Sequence, residues 1–230
     1  VGRIQAFDTV AVVQAARDLF WDKGYEATSL ADLEAATGLA RSSLYHAFGS
    51  KRGLFDAAVA DYLDTVIRPR LQVLLTGATD ASALLAYLDG LRLAVQRRPD
   101  ASGASDDADG SDGPDGSRGS NNSGDSRGSP TRGCLLINCA AGLAAHDDPA
   151  REVVDGYRAE LVAALKHALL SAGAGQPFQP TLVDERARTL ASFTMSAMLL
   201  ARVNPDESAA LLETASGLVR SWMPEVGSTA

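Results

Sequence analysis

Apolar residues recur along this chain at intervals of three and four, and strict alternation is nearly absent, so the pattern predicts helices throughout. From Asp8 to Lys23 the spacing places Val10, Val13, Ala16, Leu19 and Phe20 on one face, and Gly24 is positioned to end the helix. Ser29 can cap a short second helix, with Asp32 three positions on, close to a capping box. Gly38 stops that helix after about two turns. A third runs from about Ala40 to Phe48, and Ser50 caps a fourth from Lys51 to about Ile67, with a break or kink expected at Pro69. Helical patterns, punctuated by Gly77 and Asp80, continue from Arg70 to Arg98. Further helices are expected over Cys134 to Ala145, Pro149 to Ala172, Thr181 to Arg202 and Pro205 to Trp222. The last is opened by a proline whose fixed φ suits a first helical position.

The segment Pro99 to Gly133 breaks this periodicity. Its 35 residues hold 8 Gly, 8 Ser and 7 Asp and no large apolar side chain, with only three Arg against the acids. Such a composition cannot bury enough surface to offset chain entropy, so residues 99–132 are expected to form a disordered acidic loop. It separates residues 61–98 from 133–230, and residues 1–60 are expected to form a domain of their own.

Composition adds three constraints. Hydrophobic residues make up 46% of 230, enough for a sizeable core. No stretch reaches the roughly 20 apolar residues of a membrane span, no basic-then-apolar leader is legible, and two cysteines argue against a disulfide framework; a cytoplasmic protein without membrane association is expected. The net charge of −8 is unusual for a nucleic-acid binder, but the distribution changes the picture. Between Gly38 and Phe55 the only charged residues are Arg41, Lys51 and Arg52, a small basic face on an acidic body.

Two short helices joined by a Gly-containing turn can form a DNA-reading unit. Leu30, Leu33 and Ala36 on one helix, and Leu44 and Phe48 on the next, have the spacing to face a core. Ala40, Arg41, Ser42, Ser43, Tyr45 and His46 are left outside. Short hydroxyl side chains let a helix approach a groove closely, Arg can pair with guanine, and Tyr can bond phosphate. Lys51, in a first helical turn where a cation opposes the dipole, is placed for an anionic partner such as phosphate. Spacing alone also admits a small helical domain with an ordinary polar face.

The run Phe20 to Phe55, FWDKGYEATSLADLEAATGLARSSLYHAFGSKRGLF, resembles the N-terminal domain of the TetR/AcrR family of transcriptional regulators. The matching elements are Phe20 with Lys23-Gly24-Tyr25, Thr28-Ser29-Leu30, Ala36-Thr37-Gly38-Leu39, Ser43 to Phe48, and Ser50-Lys51, all at the right mutual spacing. The resemblance covers about 60 residues. It implies an all-α protein: an N-terminal three-helix helix-turn-helix DNA-binding domain and a helical C-terminal ligand-binding and dimerisation domain. It also implies a repressor that binds a pseudopalindromic operator in double-stranded DNA as a homodimer and is released by a small-molecule effector. Arg41 and Ser42 would read base edges; Ser43, Tyr45, His46 and Lys51, with Thr28 and Ser29, would hold the DNA backbone. Dimerisation would use the last two helices, whose apolar stripe comprises Ala191, Met195, Met198, Leu199, Leu211, Leu212, Ala215, Leu218 and Val219, or that stripe is intramolecular core. Gly53 departs from the family pattern, where an acid commonly completes a capping box with the Ser50 position.

Gly133-Cys134-Leu135 also resembles a Gly-Cys-Leu run in a subset of these regulators, some of which sense electrophiles, oxidants or metals. Cys134 is therefore a possible redox site at a helix N-terminus, where amide dipoles lower a thiol pKa, or else a small buried hydrophobe. Cys139 and His146, two turns apart, are too distant to share a metal ion unaided. No phosphate loop, zinc-binding His pair or nucleophile elbow is present, so no catalytic set, metal or cofactor is expected. A thiol-sensing repressor, and a helical interaction module or enzyme without DNA binding, are the alternatives.

Overall fold

The computed structural model describes residues 7–96, 132–173 and 180–223, and these form helices and connecting turns without a strand. The acidic tract lies outside the described residues, except for Arg132.

Helices α1 (Thr9–Lys23), α2 (Leu30–Thr37) and α3 (Arg41–Phe48) form the N-terminal unit, closed by α4 (Lys51–Tyr62). The Asp8 side chain accepts from the Val10 and Ala11 amides to start α1, and Gly24, at φ 88°, ends it. The inward face of α1 is Val12, Ala16 and Phe20, at i, i+4, i+8; Val10 points outward at 61% exposure, correcting the face expected from sequence. Ala36 is likewise exposed. The core of this unit is aromatic: Phe20 meets Phe55 edge-on at 5.2 Å, and Tyr25 lies 4.7 Å from Phe55. Burying side chains of this size contributes roughly 1.5–3 kcal/mol each, which ties α1 to α4.

Pro69 does not break the fourth helix. A π-turn over Leu63–Ile67 widens the coil and leads into α5 (Arg68–Gln72) and a 3₁₀ turn, Val73–Leu75. Here the Arg68 amide reaches back to the Leu63 carbonyl, one residue beyond the α-helical partner. A wide turn just before the proline relaxes the contact between its ring and the preceding turn, so the coil continues.

The body consists of α6 (Ser82–Gln96), a π-turn over Leu136–Ala140 running into α7 (Ala141–Leu143), α8 (Asp148–Ala172), α9 (Pro180–Leu200) and α10 (Pro205–Trp222). Tyr157, Leu161, Ala164, Leu165, Ala168 and Leu169 of α8 face Val183, Ala187, Leu190 and their neighbours on α9, while α10 packs chiefly on α6 and α9. The Ser208 hydroxyl donates to the Ala197 carbonyl at 2.7 Å, pinning α10 to α9. Five residues of the apolar stripe considered for dimerisation, Ala191, Met198, Leu212, Ala215 and Val219, are buried in this intramolecular core. No helix among the described residues is long and apolar enough to cross a membrane.

Candidate nucleic-acid interface

The second helix of the helix-turn-helix is presented by a set of local bonds. Ser29 caps α2 by accepting from the Asp32 amide, and the Asp32 carboxylate accepts from the Ser29 amide at 2.7 Å, completing the capping box. Lys23 pairs with the same carboxylate, and these donors hold its pKa well below the usual carboxylate range. Gly38, left-handed at φ 68°, ends α2 and turns the chain. Ala40 has no side chain with which to cap α3. Glu34 of α2 takes that role, accepting from the Arg41 amide at 2.6 Å, and so fixes the two helices relative to each other. Leu44 and Leu33 are buried behind them.

On the outer side of α3, Arg41, Ser42, Tyr45 and His46 are exposed and Ser43 is half-buried. The Arg41 guanidinium lies 5.5 Å from the centroid of the Tyr45 ring, and Lys51 stands 4.4 Å from that of Tyr25. Among the described residues neither cation pairs with a carboxylate, so both remain available to an anion. Arg52, the third cation of this basic stretch, is committed elsewhere, to Asp56 and to Asp147 at the start of α8.

Two of the expected backbone contacts sit differently from the rest. Thr28 is only 1% exposed, and its hydroxyl donates to the Gly24 carbonyl at 2.6 Å, so it holds the turn after α1 and presents nothing to solvent. That corrects its assignment as a phosphate ligand. The Ser29 hydroxyl is bound up with the half-buried Asp32 carboxylate at 2.6 Å, which places a negative charge at the helix start where phosphate was expected.

Gly53 has a structural reason that its place in the sequence does not reveal. Ser50 still caps α4 by accepting from the Gly53 amide at 3.0 Å. A Cβ on Gly53 would stand 2.1 Å from the Phe48 carbonyl oxygen, so the close approach of α3 and α4 requires its absence.

Behind this interface, the end of α1 is fastened to the body. Trp21 donates its indole N–H to the Arg132 and Gly133 carbonyls at 3.1 and 3.2 Å and packs edge-on against Tyr62 at 4.8 Å. Arg202 donates to the Asp22 carbonyl at 2.8 Å, and Arg132 pairs with Asp22 at 2.6 Å. The last residue of the acidic tract is thus docked on α1 rather than part of a free loop. Gly133 is left-handed at φ 64°, and a Cβ there would meet the Met198 carbonyl at 2.8 Å, so the chain passes hard against α9.

Cys134 follows, 2% exposed and reduced, on the wall of a small cavity of about 10 Å³. Burial pushes its thiol pKa up, outweighing the opposing effect of the Ile137 and Leu136 amides. The lowered thiol pKa expected from a helix N-terminus is therefore not found. The cavity is walled by Tyr62, Ile67, Arg70, Leu71, Tyr87, Leu91, Tyr157, Thr194 and Met198 as well as Cys134. Of these, the sequence singled out only Cys134, and Met198 as part of the dimerisation stripe, because the wall comes from five separated segments and shares no motif.

Comparisons with known proteins agree with this geometry. Residues 12–58 match the family model described as bacterial regulatory proteins, tetR family. The chain is 28% identical over 208 residues to an uncharacterised HTH-type transcriptional regulator of Bacillus subtilis, YezE, covering 90% of this chain and 92% of that one. It is 51% identical over 63 residues to the HTH-type transcriptional repressor ComR of Escherichia coli, covering 27% and 30% of the two. Its fold is similar to that of the TetR family transcriptional regulator CifR, solved as a cysteine mutant complexed with a 26-bp double-strand operator DNA. That likeness has a TM-score of 0.63 at 27% identity and covers 96% of this chain and all of the other.

Proposed function

We propose that the chain, whose residues 12–58 match the tetR family model and which is similar along most of its length to regulators of that kind, is a TetR-family repressor that grips operator DNA as a homodimer and releases it when an effector enters the body. The observation that carries the DNA-binding part is the exposed face of α3, with Arg41 and Lys51 free of carboxylates and α3 held in place by Glu34. Arg41 and Ser42 read base edges; Ser43, Tyr45, His46 and Lys51 hold the phosphates. Ser29 contributes at most its backbone, and Thr28 supports the turn.

Dimerisation through α9 and α10 uses a different face from the stripe buried in the core. The outer side of α9 carries Ser192, Ser196 and the exposed Leu199, continued by Val203 at 79% exposure. The outer side of α10 carries Ala210, Thr214, Gly217 and Ser221. The hydroxyls of Ser192, Thr214 and Ser221 donate to carbonyls of their own helix, leaving a small, shallow surface on which two copies can approach closely. A two-fold dimer places two copies of α3 on successive half-sites.

The attachment of α1 to the body supplies the coupling. Tyr62 and Cys134 line the cavity, and Trp21 packs on Tyr62 while bonding the residues just before Cys134. A cavity of about 10 Å³ holds no more than one water, so a larger molecule enters only by moving these walls. Such a ligand binds the opened arrangement more tightly and shifts the equilibrium towards it, carrying α1 and the helix-turn-helix with it. Sedimentation of the full chain with and without a bound operator duplex tests the assembly. Two protomers per duplex are expected, and a single protomer bound with full affinity contradicts the dimer.

Thiol sensing through Cys134 is a second reading, favoured by its place on the cavity wall and opposed by its burial and raised pKa. Under that reading, replacing Cys134 by Ser abolishes the response to an electrophile while leaving DNA binding intact.

A further inference from the structure

The polar groups of the body cavity point to the chemical class of its ligand. This step rests on the effector-responsive reading above. Four of the residues lining it carry an uncharged hydroxyl, Tyr62, Tyr87, Tyr157 and Thr194, and that of Tyr62 is engaged with the Cys134 thiol. Burial raises the pKa of all three phenols, so they stay protonated, and those of Tyr87 and Tyr157 are able to donate to a ligand. Thr194 is 1% exposed and lies beside the Tyr87 phenol, yet its hydroxyl makes no well-formed hydrogen bond. Leaving a buried hydroxyl unmatched costs free energy, and a ligand that supplies an acceptor recovers it.

The remaining polar group is Arg70. It is half-buried, and among the described residues it has no carboxylate partner, unlike Arg17, Arg52, Arg68 and Arg92, each of which is paired. No Asp or Glu lines the cavity. Its field reaches the phenols of Tyr62, Tyr87 and Tyr157 and the Cys134 thiol. The rest of the wall is aliphatic: Ile67, Leu71, Leu91 and Met198. A partly desolvated guanidinium, a set of neutral donors and an apolar floor suit one negative charge on a small apolar frame. An amine would meet the cation with nothing to balance it, and a polyanion would find only one positive charge.

We propose that the body cavity binds a small, mainly apolar organic acid, whose carboxylate pairs with Arg70 and accepts from Thr194 while its hydrocarbon part packs on Ile67, Leu71, Leu91 and Met198. Because a cavity of about 10 Å³ has room for one water, binding opens the walls and so reports on the same movement that frees the operator.

The test uses the full chain and three matched sets of probes: benzoate and hexanoate, their neutral amides, and benzylamine with hexylamine. Binding is measured by calorimetry without DNA, and operator release by fluorescence anisotropy of a labelled duplex. The acids are expected to bind about 10- to 100-fold more tightly than the amides, with the amines weakest. Arg70→Gln removes that preference, and Arg70→Lys keeps part of it; unchanged DNA binding by both variants shows that they are folded. Amides or amines that bind as well as the acids, or an acid preference that survives Arg70→Gln, overturn the proposed class while leaving an effector-responsive repressor intact. Acids that bind through Arg70 without releasing DNA support the ligand class and sink the release mechanism instead. Failure of every probe to bind overturns the cavity as the site for such acids.

Discussion

Arg41 and Lys51 are both cations near α3, yet the proposed reading gives them different work. Arg41 opens α3 on its exposed face, whereas Lys51 begins α4 and leans over Tyr25. Arg41→Ala is expected to cost about 1–3 kcal/mol per half-site on the preferred sequence and to relax preference at one base pair. Lys51→Ala should weaken binding to specific and random DNA alike, and a dimer missing two phosphate contacts should lose about 1.8 from the slope of log K against log salt. Titrations of an operator library at several salt concentrations separate the two, and exchanged behaviours would reverse the assignments. At Gly53, two effects oppose each other. Gly→Ala inside a helix ordinarily gains about 1 kcal/mol, but the added Cβ would collide with the Phe48 carbonyl. The collision is with backbone and cannot be relieved by a rotamer change, so Gly53→Ala should lower the thermal midpoint; a raised midpoint would show that α3 and α4 can separate without cost. The sequence marks Gly53 only as the missing half of a capping box, because an approach between backbones leaves no trace in residue order.

Helix α2 owes its start to a carboxylate, and that makes it sensitive to acid. The Lys23 ammonium, then the Ser29 hydroxyl and amide, hold the Asp32 pKa below its ordinary value. A carboxyl group whose folded pKa is depressed contributes stability that is present above the unfolded pKa, near 3.9, and is lost as pH falls through the lower folded value. The contribution is modest because the group faces solvent. NMR titration of the Asp32 carboxyl should place its midpoint below 3.9, and Lys23→Met should move it upward; a midpoint unmoved by that substitution would mean the ammonium does not hold the carboxylate. The helices themselves were legible in sequence because caps and punctuation sit where local chemistry demands them: Asp32 with Ser29, Gly24, Gly38 and Ser50. What escaped were compensations across elements. Glu34 caps a helix other than its own, and the π-turn at Leu63–Ile67 carries the coil through Pro69, a residue that by local rules ends it. Val12 rather than Val10 faces the core because the i, i+4, i+8 row ending at Phe20 is the one that meets α4.

Across the whole molecule, the DNA-reading unit and the body are joined at a few defined points: Trp21 on Tyr62 and Gly133, Arg202 and Arg132 at the end of α1, and Arg52 on Asp147. Each joins residues distant in sequence, so none could be read from spacing, whereas the helix-turn-helix face was legible because it is a contiguous eight-residue helix with one apolar side. The negative body sets the conditions for recognition. With a net charge of −8 per chain, non-specific attraction to DNA is weak, and the small basic face must be presented in the right geometry for affinity to exceed it. The most direct test of the central claim is selection of duplexes from a randomised pool by the full chain at physiological salt. Enrichment of two inverted half-sites is expected, their centres about 34–36 Å or a multiple of that apart, bound by two protomers, with Arg41→Ala losing the preference at one position in each half. A pool that stays random through successive rounds, or enriched sequences that Arg41→Ala and Lys51→Ala bind as well as the unaltered chain, would contradict it.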